Sequence, residues 1–140
     1  MTTEFASIIS AVYGIYHEAA LRSGYSDGEQ LVLYALIGDG KKHSKMELYK
    51  TTGLSRMSAC AAINRLKKKG FLSFERSIDG VLYLSLTDTG REAAENTVGK
   101  IIRAEQEIVS GWEQEERDLY LKLSKDYLVK FQNKVRESFQ

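Results

Sequence analysis

From Phe5 to about Leu21 the apolar residues Phe5, Ile8, Ile9, Val12, Tyr13, Ile15, Tyr16 and Ala19 recur every three or four positions, the spacing of one stripe along a helix. Gly24 ends this predicted helix. Ser26-Asp27-Gly28-Glu29 reads as a capping box that opens a second helix, running to about Ile37. After the Gly38-Asp39-Gly40 turn and Lys41-Lys42-His43, the stretch Ser44-Lys45-Met46-Glu47 reads as another capping box. It starts a short helix through about Thr51, with Met46 and Leu48 or Tyr49 facing inward. Gly53 supplies a tight turn, and Ser55 caps the next helix, from Arg56 to about Lys69. Two short helices joined this way form a helix-turn-helix pattern. The small residues Ser58, Ala59, Cys60, Ala61 and Ala62 let the second helix lie close to its surroundings, a groove floor included, while Ile63 and Leu66 point to the core.

Residues Phe71 to Arg76 and Val81 to Leu86 are of β-favouring types on either side of Ser77-Ile78-Asp79-Gly80. Asp-Gly is a two-residue hairpin signal, so a β-hairpin is expected here. Thr87 and Asp88 can cap a long helix that Ala94, Val98, Ile101, Ile102, Ile108 and Val109 carry to about Ser110. Gly111 breaks it. The last predicted helix starts at about Glu113 and carries Leu119, Leu123, Leu128, Phe131, Val135 and Phe139, with Glu113, Glu115 and Glu116 complementing its dipole. The fold class is mainly α with a small β-hairpin wing: a winged helix-turn-helix with helices on both sides.

The 140 residues, 43% of them apolar, suit a single domain that buries more by dimerising. One cysteine, Cys60, precludes an intrachain disulfide framework, and no leader pattern or membrane-length apolar run is visible, so a cytoplasmic protein without membrane contact is expected. The net charge of +1 conceals a division. Between Lys41 and Arg76 there are ten basic residues against Glu47 and Glu75, a net +8, which leaves −7 on the remainder. A concentrated positive segment is the footprint of a polyanion partner. No nucleophile with a base, glycine-rich phosphate loop or paired carboxylate motif is recognisable, which argues against an enzyme. His17 and His43 lack the spacing of metal ligands, and no metal or other cofactor is expected.

The order Gly53-Leu54-Ser55-Arg56, then Asn64-Arg65-Leu66-Lys67-Lys68-Lys69-Gly70-Phe71, then Leu86-Thr87-Asp88-Thr89-Gly90-Arg91 resembles the MarR family of multiple antibiotic resistance regulators. Trp112-Glu113-Gln114-Glu115-Glu116 followed by Leu119 and Leu123 is similar to the start of that family's last dimerisation helix. The resemblance implies one MarR-like domain over 1–140. Residues 4–23 and 91–139 would be dimerisation helices around a winged helix-turn-helix lobe at 26–90, with the helix-turn-helix at about 44–69 and the wing at about 71–86. It also implies a homodimer that binds double-stranded DNA at a palindromic operator, in most relatives as a repressor. The alternative is a winged-helix dimer used as a protein-interaction module with weak or no specific DNA binding.

Helix-turn-helix proteins present the start of the second helix to base edges, which selects Ser55, Arg56, Met57 and Ser58. Arg56 either reads guanine or grips phosphate. Ser44 and Lys45 would hold phosphate at the preceding helix start. Arg65 reaches DNA or braces the wing, Lys67 and Lys68 reach phosphate or solvate a helix end, and Arg76 lies near the wing. Two departures from the family pattern bear on DNA affinity: Cys60-Ala61 stands where many relatives have Thr-Arg, and Gly80 where they carry a wing arginine. Relatives often sense small aromatic molecules, and Tyr13, Tyr16, His17 and Tyr34 are the candidate effector crevice; aromatics at helical spacing equally suit a core. Cys60 reads as an inert small apolar residue or as a thiol activated by nearby cations.

Overall fold

The computed structural model describes residues 2–140. Its helices are α1 (Thr2–Ser23), α2 (Asp27–Asp39), α3 (Lys45–Thr52), α4 (Arg56–Lys68), α5 (Asp88–Glu95), α6 (Val98–Ser110) and α7 (Gln114–Ser138), and its strands are β1 (His43–Ser44), β2 (Leu72–Arg76) and β3 (Leu82–Leu86). The chain divides into two compact units, Met1–Ile102 and Arg103–Gln140. Among the described residues no helix is long and apolar enough to cross a membrane.

The helix starts follow the caps read from the sequence. Ser26 accepts from the Glu29 amide at 3.1 Å and Glu29 returns the bond to the Ser26 amide at 3.2 Å. Ser55 accepts from the Ser58 amide and Thr87 from the Gly90 amide, so each satisfies a donor that the first turn leaves open. The box expected at Ser44 is only half formed. Ser44 accepts from the Glu47 amide, but the Glu47 carboxylate turns to His43 Nδ1 at 3.2 Å instead of the cap backbone.

In the first unit, Val32, Leu33 and Leu36 of α2, Leu48 of α3, Ala62, Ile63 and Leu66 of α4, Leu84 of β3, and Ala94 and Val98 form one buried cluster. Each fully buried leucine or isoleucine contributes roughly 1.5–3 kcal/mol of transfer free energy. Leu48 is the inward residue of α3; Met46, expected beside it, is exposed because a helix this short offers the core only a narrow face. The small residues of α4 serve the interior: Ala59 and Ala62 are buried, and a Cβ added at Gly28 of α2 would stand 3.3 Å from the Ala62 Cβ. Alanine against glycine lets the two helices approach closely.

The sheet order is β1-β3-β2, antiparallel throughout, with Phe74 opposite Leu84 and His43 on Leu84's other side. The two-residue strand β1 was not expected from the sequence, since two residues carry no periodicity. The wing turn also differs from the expected two-residue form. Ser77 donates its amide to Val81 O, leaving the three-residue loop 78–80, in which only Gly80 has positive φ (85°). A two-residue Asp-Gly turn of type I′ requires positive φ at the aspartate as well.

The long helix expected from Asp88 to Ser110 is two helices. Thr97 Oγ1 donates to the carbonyls of Ala93 (2.8 Å) and Ala94 (3.4 Å), and the Thr97 amide bonds Ala94 O. Local bonding of this kind competes with the regular ladder and ends α5 at Glu95. At the other end of α5, the Thr87 amide donates to Phe71 O and its hydroxyl to Gly70 O at 2.7 Å. Gly90 lies so close to the same strand start that a Cβ would sit 2.1 Å from Phe71 O. The Thr-x-x-Gly pattern is thus the clasp joining α5 to the end of α4.

Candidate nucleic-acid interface

The buried residues of α4 are Ala59, Ala62, Ile63 and Leu66, which commits one face inward and turns the rest of the helix to solvent. Ser55, Arg56, Met57 and Ser58 are all exposed at its start, Met57 to 84%. Ser55 does more than cap, because its hydroxyl donates to Ser58 Oγ at 3.1 Å. The Arg56 guanidinium lies 5.8 Å from the Tyr49 ring centroid, a cation–π approach that orders it over α3. Tyr49 in turn contacts Cys60 Sγ at 3.4 Å, and that hydrogen bond, with burial, holds the Tyr49 phenol above its ordinary pKa.

The cations of this surface fall into two groups. Lys67 lies over the Phe74 ring (5.1 Å), Lys42 over Tyr83 (5.4 Å) with Glu75 at 3.4 Å, and Arg76 Nη1 donates to Gly80 O at 2.7 Å. Lys69 is the most committed. Its Nζ is 2.7 Å from the Glu29 carboxylate, itself 4% exposed, and 5.0 Å from the Tyr25 ring. Burial pushes the Glu29 carboxyl up, but the Lys69 ammonium and the Ser26 cap together hold it below the usual glutamate value. Lys45, Lys50, Arg65 and Lys68 have no ion-pair partner among the described residues and remain available to phosphate.

Ser44 and Lys45 are together at the start of α3, as the sequence placed them, although both are half-buried and the Ser44 hydroxyl is occupied as a cap. Beside them His43 stands between Asp39 (3.0 Å from Nε2) and Glu47 (3.2 Å from Nδ1, off the line of a hydrogen bond). The His43 bond and the Lys41 amide hold the Asp39 carboxyl below its ordinary range. The sequence reading missed Tyr49 as the platform of Arg56 and Glu29 as the partner of Lys69. The second lies forty positions away and no local spacing could have indicated it.

The four candidate crevice residues lie on α1 and α2. Tyr13 is exposed, His17 Nδ1 is 2.9 Å from Asp27, and the Tyr16 carbonyl accepts from Gln30 Nε2 at 2.8 Å. Tyr34 packs against the main core cluster, the role expected of an ordinary structural aromatic.

No family model matches the sequence, and no curated protein matches it. Solved structures do match. The MarR family regulator NMB1585 of Neisseria meningitidis superposes with a TM-score of 0.77 at 15% identity, covering 99% of this chain and 97% of its own. BpsR of Bordetella bronchiseptica, whose DNA binding is regulated by 6-hydroxynicotinic acid, gives 0.66 at 19% identity, over 90% and 91%. NadR in complex with 4-hydroxyphenylacetate gives 0.71 at 17%, over 92% and 89%. The fold is a winged helix-turn-helix. More narrowly, it is the MarR-type fold, spanning the whole chain.

Proposed function

We propose that this protein is a transcriptional regulator that binds duplex DNA as a homodimer, reads a palindromic operator through the start of α4, and represses from it. The observation that carries this reading is the exposed start of α4. Four side chains project there, Arg56 is held over Tyr49, and Lys45, Lys50, Arg65 and Lys68 have no acidic partner among the described residues. Ser55, Arg56, Met57 and Ser58 meet base edges, while Ser44, Lys45, Arg65, Lys67, Lys68 and Arg76 position the duplex. A lobe that served only protein contacts would not need the net +8 concentrated between Lys41 and Arg76.

A small aromatic effector fits the same reading, bound near Tyr13, Tyr16, His17 and Tyr34. Gln30 supports it: its Nε2 is committed to the Tyr16 carbonyl, yet its buried Oε1 has no partner among the described residues and can accept from a ligand hydroxyl or amine. Such a ligand releases DNA only if it favours one arrangement of the dimer over another. Tyr16→Ala that left ligand-induced release intact would remove this crevice from the account.

Fluorescence anisotropy against the upstream intergenic duplex and a scrambled duplex, across salt concentrations, tests the main claim. Specific binding that strengthens as salt falls, and that weakens about tenfold or more in Arg56→Ala, is expected. Absence of binding to either duplex at low salt would favour the interaction-module reading.

A further inference from the structure

Ile78 stands in the loop at the tip of the wing with its side chain fully exposed (109%). The turn that carries it is braced by internal bonds. Asp79 Oδ1 accepts from the Val81 amide (3.2 Å) and from the Ser77 hydroxyl, the Gly80 amide donates to Ser77 O, and the Ser77 amide donates to Val81 O. Arg76, the nearest cation in sequence, folds back onto Gly80 O at 2.7 Å. The tip therefore leads with a branched apolar side chain that is stiff at χ1, on a loop ordered before any partner arrives.

A lone exposed isoleucine is common on protein surfaces. What distinguishes this one is its place, at the end of the hairpin that follows the basic helix, on a turn that Ser77, Asp79, Gly80 and Val81 brace by bonding one another. Such a tip gains little from phosphate and gains most by leaving water against bases. Resting on the DNA-binding reading above, we propose that Ile78 is a specificity-determining residue, an apolar wedge that enters the minor groove beside the α4 contact and partly unstacks a base step. The occupant is duplex DNA, drawn to the lobe by the positive charge concentrated between Lys41 and Arg76. The wedge selects sites whose flanks carry an easily deformed pyrimidine–purine step. It adds affinity without displacing counterions, and this property separates it from an arginine at the same place.

The test uses the full-length dimer and a duplex that the unmodified protein selects from a randomised pool. Affinity is read across salt concentrations, and end-to-end fluorescence transfer reports the bend. Ile78→Ala is expected to bind about tenfold more weakly with an unchanged salt slope, a smaller bend and an unchanged melting temperature. Ile78→Arg is expected to steepen the salt slope by about one unit. If Ile78→Ala matches the unmodified protein in affinity and bend, the wedge is overturned and DNA binding stands. If the unmodified protein selects no duplex, both are overturned.

Discussion

The helix-turn-helix lobe and the last helix treat apolar side chains in opposite ways. The lobe hides Leu33, Leu48, Ile63, Leu66 and Leu84 almost completely, whereas α7 buries nothing along its 25 residues. Leu119, Tyr120, Leu121, Leu123, Leu128 and Phe131 are exposed on α7, with Tyr127 stacked on Phe131 at 5.4 Å. An apolar surface of this extent is costly for a solitary chain. One region thus carries its stabilising interior within itself. The other leaves its apolar side chains open, and the proposed homodimer would cover them.

The most severe way to break the lobe is Gly90→Ala. The new Cβ would overlap Phe71 O, a backbone atom that cannot rotate away, so a loss of about 3 kcal/mol or more is expected in urea unfolding. Leu66→Ala should cost about 2–4 kcal/mol because it leaves a cavity in a fully enclosed site. Replacing Leu128 and Phe131 together by aspartate sharpens the contrast. Sedimentation equilibrium should shift from dimer to monomer while the lobe's helical signal persists; a dimer that survives would place its interface elsewhere.

Lys69→Met tests a polar contact inside the lobe. It strands the Glu29 carboxylate, and about 2 kcal/mol is expected, toward the low end for a buried pair because Lys69 is partly solvated. The folded Glu29 pKa lies below its reference of 4.5. Its contribution is therefore present above that value and is lost as pH falls through the folded pKa. Lys69→Met removes the strongest lowering influence, so the acid limb of a stability–pH curve should flatten. An unchanged limb would show that the pair does not hold α4 to α2.

What was legible in the sequence was local. The caps at Ser26, Ser55 and Thr87, and the apolar stripes of α1 and α7, depend on residues within a turn or two of one another. The errors arose where local pattern met a competing bond or a distant partner. Val98 and Ile101 continue a helical period past Asn96, yet the Thr97 hydroxyl breaks the ladder there. Asp79-Gly80 signals a turn but not its length. In the candidate site, Arg56 and the serines flanking it were readable from the helix start. Their ordering by Tyr49, and the commitment of Lys69 to Glu29, required α2, α3 and α4 to be assembled first.

The smallest expected effect tests whether the start of α4 is read as an ordered element. Ser55→Ala removes the acceptor for the Ser58 amide and the donor to the Ser58 hydroxyl, at a cost of about 1 kcal/mol. Ala59, Ala62, Ile63 and Leu66 remain buried, so the loss should fall on the first turn and not on the lobe as a whole. That turn carries Arg56 and Met57. Hydrogen exchange should therefore quicken at Met57 and Ser58 while the amides of Ile63 and Leu66 keep their protection, and DNA affinity should fall although Arg56 is still present. Faster exchange with unchanged affinity would mean that Arg56 acts as a mobile charge on phosphate, and its geometry over Tyr49 would then carry no sequence information.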